Sequence, residues 1–106
     1  MSDSFSTDDA APDVPEGGFV RSMPIINRRG LHARASAKFV QMVERFSSTV
    51  TVTRAGETVG GRSIMGLLTL GAAQGTSIYV TAIGEDAEAA LDAIEELLAT
   101  RFGEDE

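Results

Sequence analysis

The chain has one histidine and no cysteine, so reactive side chains have few places to sit. His32 stands in Gly30-Leu31-His32-Ala33-Arg34, with Arg28 and Arg29 just before it. A neutral imidazole nitrogen is a good nucleophile near neutral pH. The residues after His32 take helical spacing, which places it at a helix N-terminus. Free backbone N–H groups there point outward and bind anions. The helix dipole adds roughly 0.3–1 kcal/mol for an exposed anion. Arg34, in the first turn, offers a planar set of donors that suits a phosphoryl group. An anionic group carried on His32 would meet all of these at once. The plainer reading is that a lone histidine is a helix cap, a surface residue or a satisfied core residue.

Several other chemistries lack their parts. Without a second histidine or any cysteine, the usual metal-ligand sets cannot form, so no metal is expected. There is no P-loop and no nucleophile-elbow motif, so neither ATP binding nor triad hydrolysis is expected. No cofactor is called for. The net charge of −7 sits mostly at the ends. Residues 1–18 carry five acidic side chains and no Lys or Arg, and residues 104–106 are all acidic. The stretch between is close to neutral and holds the arginines around His32. An acidic chain does not bind nucleic acid through its bulk field. A local basic cluster suits a phosphate or an acidic partner surface. No apolar run is long enough for a membrane span, and residues 1–18 lack the pattern of a secretory signal. A cytoplasmic location is the default expectation.

The elements that must position His32 follow from periodicity. Residues 1–18 are poor in large apolar side chains and read as a disordered tail. Phe19 to Asn27 reads as a strand, and Pro24 puts it at a sheet edge or a bulge because proline cannot donate to a ladder. Asn27 to Gly30 is a loop. Ala33 to Phe46 reads as an amphipathic helix whose stripe is Phe39, Val40, Val43 and Phe46, with Ala35 or Ser36 completing it. Ser48 to Thr53 alternates as a half-buried strand with Val50 and Val52 on one face, and Thr58-Val59 returns beside it. Ser63 is placed to cap a short helix from Ile64 to Leu70, with Gly71 as its stop. Thr76 to Ile83 alternates again. Gly84-Glu85-Asp86 opens a last helix from Ala87 to Phe102, ended by Gly103. The order β-α-β-β-α-β-α fits an α+β fold, an antiparallel four-stranded sheet with three helices on one face. A single domain over residues 19–103 is expected, with 104–106 as an acidic end.

Two segments then resemble a known family. Gly30-Leu31-His32-Ala33-Arg34 followed by Ala37-Lys38-Phe39-Val40 is similar to the phosphorylation site of the HPr family, histidine-containing phosphocarriers of the bacterial phosphoenolpyruvate-dependent phosphotransferase system. Arg62 to Gly71 resembles the family's regulatory-serine helix, and the spacing of the two segments fits. The resemblance covers about residues 19–102 and implies an open-faced β-sandwich. It implies that Nδ1 of His32 accepts a phosphoryl group from phosphohistidine on enzyme I and passes it to an enzyme IIA-type protein, with Arg34 neutralising the phosphoryl oxygens. It implies phosphorylation of Ser63 by an HPr kinase/phosphorylase. The chain would be a carrier, a phosphoryl-transfer intermediate more than a self-contained enzyme. A monomer is expected.

One position departs from the family. Proline usually follows the arginine, and here Ala35 stands there. Alanine is a strong helix former, so the helix should survive with one extra free donor. The short second helix cannot bury all its apolar residues. Leu67 and Leu70 are the better core candidates, which leaves Ile64, Met65 and Leu68, with Arg62, as a partner-binding surface. An alternative of another class stays open: a regulatory binding module of a nitrogen- or carbon-signalling phosphotransfer chain, controlling partners through its phosphorylation state without sugar transport.

Overall fold

The computed structural model describes residues 11–104. Four strands and three helices follow in the order β1 (Gly18–Pro24), α1 (Ala33–Val43), β2 (Thr49–Arg54), β3 (Glu57–Gly60), α2 (Ile64–Thr69), β4 (Ser77–Ile83) and α3 (Ala87–Ala99). The sheet is antiparallel throughout, with strand order β1-β4-β2-β3. This is the expected α+β open-faced sandwich. Much of the expected tail falls on residues 1–10, outside the described residues.

Period-2 alternation decides which side of the sheet is covered. Met23, Ile78, Val80, Ala82, Val50 and Val52 share one face and are buried under the helices. From the helix side come Ala35, Phe39, Val43, Leu67, Leu91, Ile94 and Leu98, all buried in the same core. The opposite face is rich in threonine, and Thr53 and Thr58 share a hydroxyl–hydroxyl hydrogen bond of 2.7 Å there. Pro24 lies in β1, an edge strand, where its missing donor costs no ladder bond.

α2 ends one residue early, at Thr69, and α1 and α3 each stop three residues short of what their apolar spacing predicts. α1 stops at Val43, not at Phe46. Beyond it, the N–H groups of Arg45 and Phe46 turn to carbonyls three residues back. The amides of Ser47 and Ser48 instead donate to the Asp86 carboxylate at 2.9 and 3.0 Å, and both serine hydroxyls donate to it as well. Asp86 precedes α3 yet makes no side-chain cap to it. Its carboxylate is spent on tying the α1–β2 loop to the start of α3.

The shortening of α3 matters more. α3 ends at Ala99, not at Phe102. Arg101, Phe102 and Gly103 then take positive φ in succession, at 58°, 56° and 76°. Left-handed backbone is unfavourable for the first two, which have side chains. Burial of Phe102, which is 1% exposed, offsets that strain. The reversal turns the chain back toward the start of α1.

Candidate functional site

His32 is the N-cap of α1, with extended backbone (φ −78°, ψ −175°). The loop before it is fixed from both sides. The Asn27–Gly30 turn closes through Gly30 N–H to the Asn27 carbonyl at 3.1 Å, and Gly30 has φ +68°. Leu31 N–H donates to the Ala72 carbonyl at 2.9 Å, while Ile25 exchanges backbone bonds with Gly75 and Thr76. Leu31 is buried, and Ser36 donates its hydroxyl to the Leu31 carbonyl. The backbone carrying His32 is therefore anchored to the 72–76 segment and to the core. Ala35 is fully buried in the first turn, and α1 forms without the proline.

The imidazole is 22% exposed, and its two nitrogens have different partners. Nδ1 accepts from the Arg34 backbone N–H at 3.3 Å, a long and weak bond. Nε2 lies 2.6 Å from Oε2 of Glu104. A backbone N–H can only donate and an ionised carboxylate can only accept. Both contacts fit a ring that carries its proton on Nε2 and its lone pair on Nδ1, at the N-terminus of α1.

Glu104 is the residue the linear pattern hides. It belongs to the acidic end of the chain, and the structure brings it 72 positions back to His32. Its second oxygen accepts from Nδ2 of Asn27 at 3.1 Å, and that same nitrogen donates to the Gly30 carbonyl at 2.8 Å. Asn27 is fully buried. Lys38 reinforces the turn by donating Nζ to the Phe102 carbonyl at 2.6 Å. Burial opposes the charge on Glu104. The hydrogen bonds from His32 and Asn27, with the nearby charge of Lys38, outweigh it and hold the carboxyl below its usual range. Polar residues two or three positions from a turn glycine, or in a charged end, carry no periodic signal, so neither Asn27 nor Glu104 stands out in the sequence.

The other expected residues divide into two groups. Arg34 contributes its backbone amide to His32, and its guanidinium is exposed. Ser63 is exposed at the N-terminus of α2, where its Oγ accepts from Gly66 N–H at 2.9 Å. Arg62 is exposed and donates to the Phe46 carbonyl at 3.1 Å. Leu67 and Leu70 are buried, while Ile64, Met65 and Leu68 are exposed by 39%, 71% and 36%. α2 packs against α1, so this apolar surface lies on the neighbouring helix to the one His32 caps. Among the described residues no cluster of potential metal ligands occurs, and no helix is long and apolar enough to cross a membrane.

The family model described as the phosphotransferase system HPr component phosphorylation site matches residues 20–100. The chain belongs to the HPr family. It is 46% identical over 83 residues to phosphocarrier protein HPr of Xylella fastidiosa, covering 78% of this chain and 93% of that protein. It is 48% identical over 86 residues to phosphocarrier protein HPr of Neisseria meningitidis, covering 81% and 97%. The crystal structure of HPr-C-His from Thermoanaerobacter tengcongensis superposes with a TM-score of 0.79 at 39% identity, covering 83% of this chain and 99% of that one. The family match spans both His32 and the α2 segment. The fold agrees with the HPr structure over nearly its whole length.

Proposed function

We propose that this HPr-family chain works as a phosphocarrier of the phosphotransferase system, with His32 as the residue that takes and gives the phosphoryl group. The observation that carries this is the division of the imidazole: Nε2–H is engaged by Glu104, and Nδ1 keeps its lone pair at the N-terminus of α1. In the forward step the weak Arg34 N–H bond to Nδ1 is released, and the Nδ1 lone pair attacks phosphorus of a phosphohistidine on enzyme I. The new N–P bond forms as the donor's N–P bond breaks, and the donor imidazole leaves with the electron pair. No proton has to leave His32, because Nδ1 carries none. The transfer onward to an enzyme IIA-type histidine is the same exchange reversed in role.

The free amides of the first turn of α1 and the exposed Arg34 guanidinium are donors for the phosphoryl oxygens. Ile64, Met65 and Leu68, with Arg62 beside them, supply the apolar surface on which the protein partners dock. Ser63 is the regulatory site: a phosphate on it would add roughly −1.5 to −2 charges. That charge would sit at the end of α2 next to the same surface and weaken docking.

Incubation with phosphoenolpyruvate and enzyme I should place one acid-labile phosphate on the wild-type chain and none on His32→Ala, read by mass spectrometry. Label retained by His32→Ala would overturn the assignment.

A further inference from the structure

The described residues offer a second group at the centre of the site whose role neither family membership nor the transfer step itself assigns. We propose that Glu104 is a positioning residue for His32: its carboxylate, held by Asn27 and by the left-handed turn at Arg101–Gly103, keeps the proton on Nε2 and so keeps Nδ1 unprotonated as the phosphoryl acceptor. This rests on the reading of His32 as the acceptor and deepens it.

Three independent features aim the carboxylate. The first is the pairing itself, at 2.6 Å to Nε2. The second is Asn27, fully buried, which donates to the other carboxylate oxygen and through the same amide to Gly30, one residue from Leu31. Glu104 is thus gripped from the very turn that leads into His32. The third is the backbone before Glu104. Two side-chain-bearing residues in a row adopt left-handed φ there, held by buried Phe102 and by Lys38 on the Phe102 carbonyl. Backbone strain persists only where the surroundings enforce it, and here its effect is to deliver one carboxylate to one imidazole edge.

The chemistry of the arrangement is that of an oriented imidazole. A carboxylate accepting from one ring nitrogen fixes tautomer and ring orientation and makes the other nitrogen more basic. Formation of the Nδ1–P bond pushes positive charge onto the ring, and the Nε2–H bond to Glu104 disperses it. The proton stays on Nε2 throughout, so the exchange needs no base. The negative charge approaches the ring at its Nε2 edge, which leaves the Nδ1 edge to the incoming phosphoryl group.

The test compares wild type with Glu104→Ala and Glu104→Gln. Each is labelled with ¹⁵N-histidine for long-range ¹H–¹⁵N spectra, and each is assayed for phosphoryl acceptance from phosphoenolpyruvate and enzyme I. Wild type should show the Nε2–H form with a slowly exchanging, downfield Nε2 proton. In Glu104→Ala that proton should exchange fast and the Nδ1–H form should appear. The maximal rate of acceptance should fall about 10-fold or more, by analogy with the loss when the carboxylate partner of a metal-ligating histidine is removed, with little change in the KM for enzyme I. Glu104→Gln, neutral but still able to accept, should lie between. A wild-type ring protonated on Nδ1, or a Glu104→Ala variant phosphorylated at the wild-type rate, would overturn the proposal. Absence of phosphate on the wild-type chain would instead overturn the reading of His32, and with it this role for Glu104.

Discussion

Replacing Gly30 by alanine should damage this protein far more than its place in a short turn implies. Gly30 has φ +68°, and a Cβ there would lie 2.5 Å from the Ala72 carbonyl oxygen and 2.9 Å from Ala73 Cα. Both are backbone atoms that cannot rotate away. The left-handed conformation costs an alanine about 1–2 kcal/mol. About 0.4–1 kcal/mol of this is recovered from the stiffer unfolded chain. Forcing the turn away from residues 72–73 is overpacking, worth about 1–3 kcal/mol. It also loosens the Leu31 N–H bond to that same Ala72 carbonyl, worth about 1 kcal/mol. The total is about 2–5 kcal/mol. In a domain of this size each kcal/mol moves the midpoint by about 4–8 °C. Gly30→Ala should therefore melt at least ~8 °C below wild type, followed by circular dichroism. Gly71→Ala is the matched control: Gly71 has φ +62° but nothing within 4 Å of a built Cβ. It should lose only the net backbone cost, about 0–1.5 kcal/mol. Because the displaced turn leads directly into His32, Gly30→Ala should also accept phosphate more slowly at a temperature where it stays folded. Equal midpoint shifts for the two variants would refute the close approach and the reasoning built on it.

Two further outcomes are expected. Ser63→Ala removes the hydroxyl that accepts from Gly66 N–H and should cost about 1 kcal/mol, or roughly 4–8 °C. Ser63→Asp keeps a capping acceptor and should stay near the wild-type midpoint, so equal losses in the two variants would count against the cap. The hydrogen bond from the Ser48 hydroxyl, then the Ser47 amide, the Ser48 amide and the Ser47 hydroxyl, hold the Asp86 carboxyl below its usual range against the opposing effect of burial. Since the folded value lies below the unfolded one, this stabilisation is complete above the unfolded value of about 3.9. It fades as pH falls through the lower folded value, and Glu104 acts with the same sign. Asp86→Asn should be less stable than wild type at neutral pH, and its stability should fall less steeply below pH ~4, as measured by urea unfolding across pH. A wild-type acid limb unchanged by Asp86→Asn would remove that role.

The sequence alone determined the elements whose signal is local. Alternation set the faces of β2 and β4, Pro24 limited β1 to an edge or a bulge, and Ser63 marked the start of α2. His32 was legible because helix N-termini, arginines and a lone imidazole are read within five residues. Helix ends were less legible, because tertiary bonds decide them. Asp86 draws the amides of Ser47 and Ser48 away from α1, and buried Phe102 pulls the chain out of α3 into a left-handed reversal. The apolar stripe would have allowed both helices to run on. The same reversal decided what sequence could not place. Asn27 and Glu104 lie 77 positions apart and belong to no repeating pattern, yet they meet at 3.1 Å beside His32. A hydrogen bond is a short-range, directional contact, and only the closed fold brings its two halves within reach. The sequence named the imidazole; the tertiary structure decided which groups meet each of its two nitrogens.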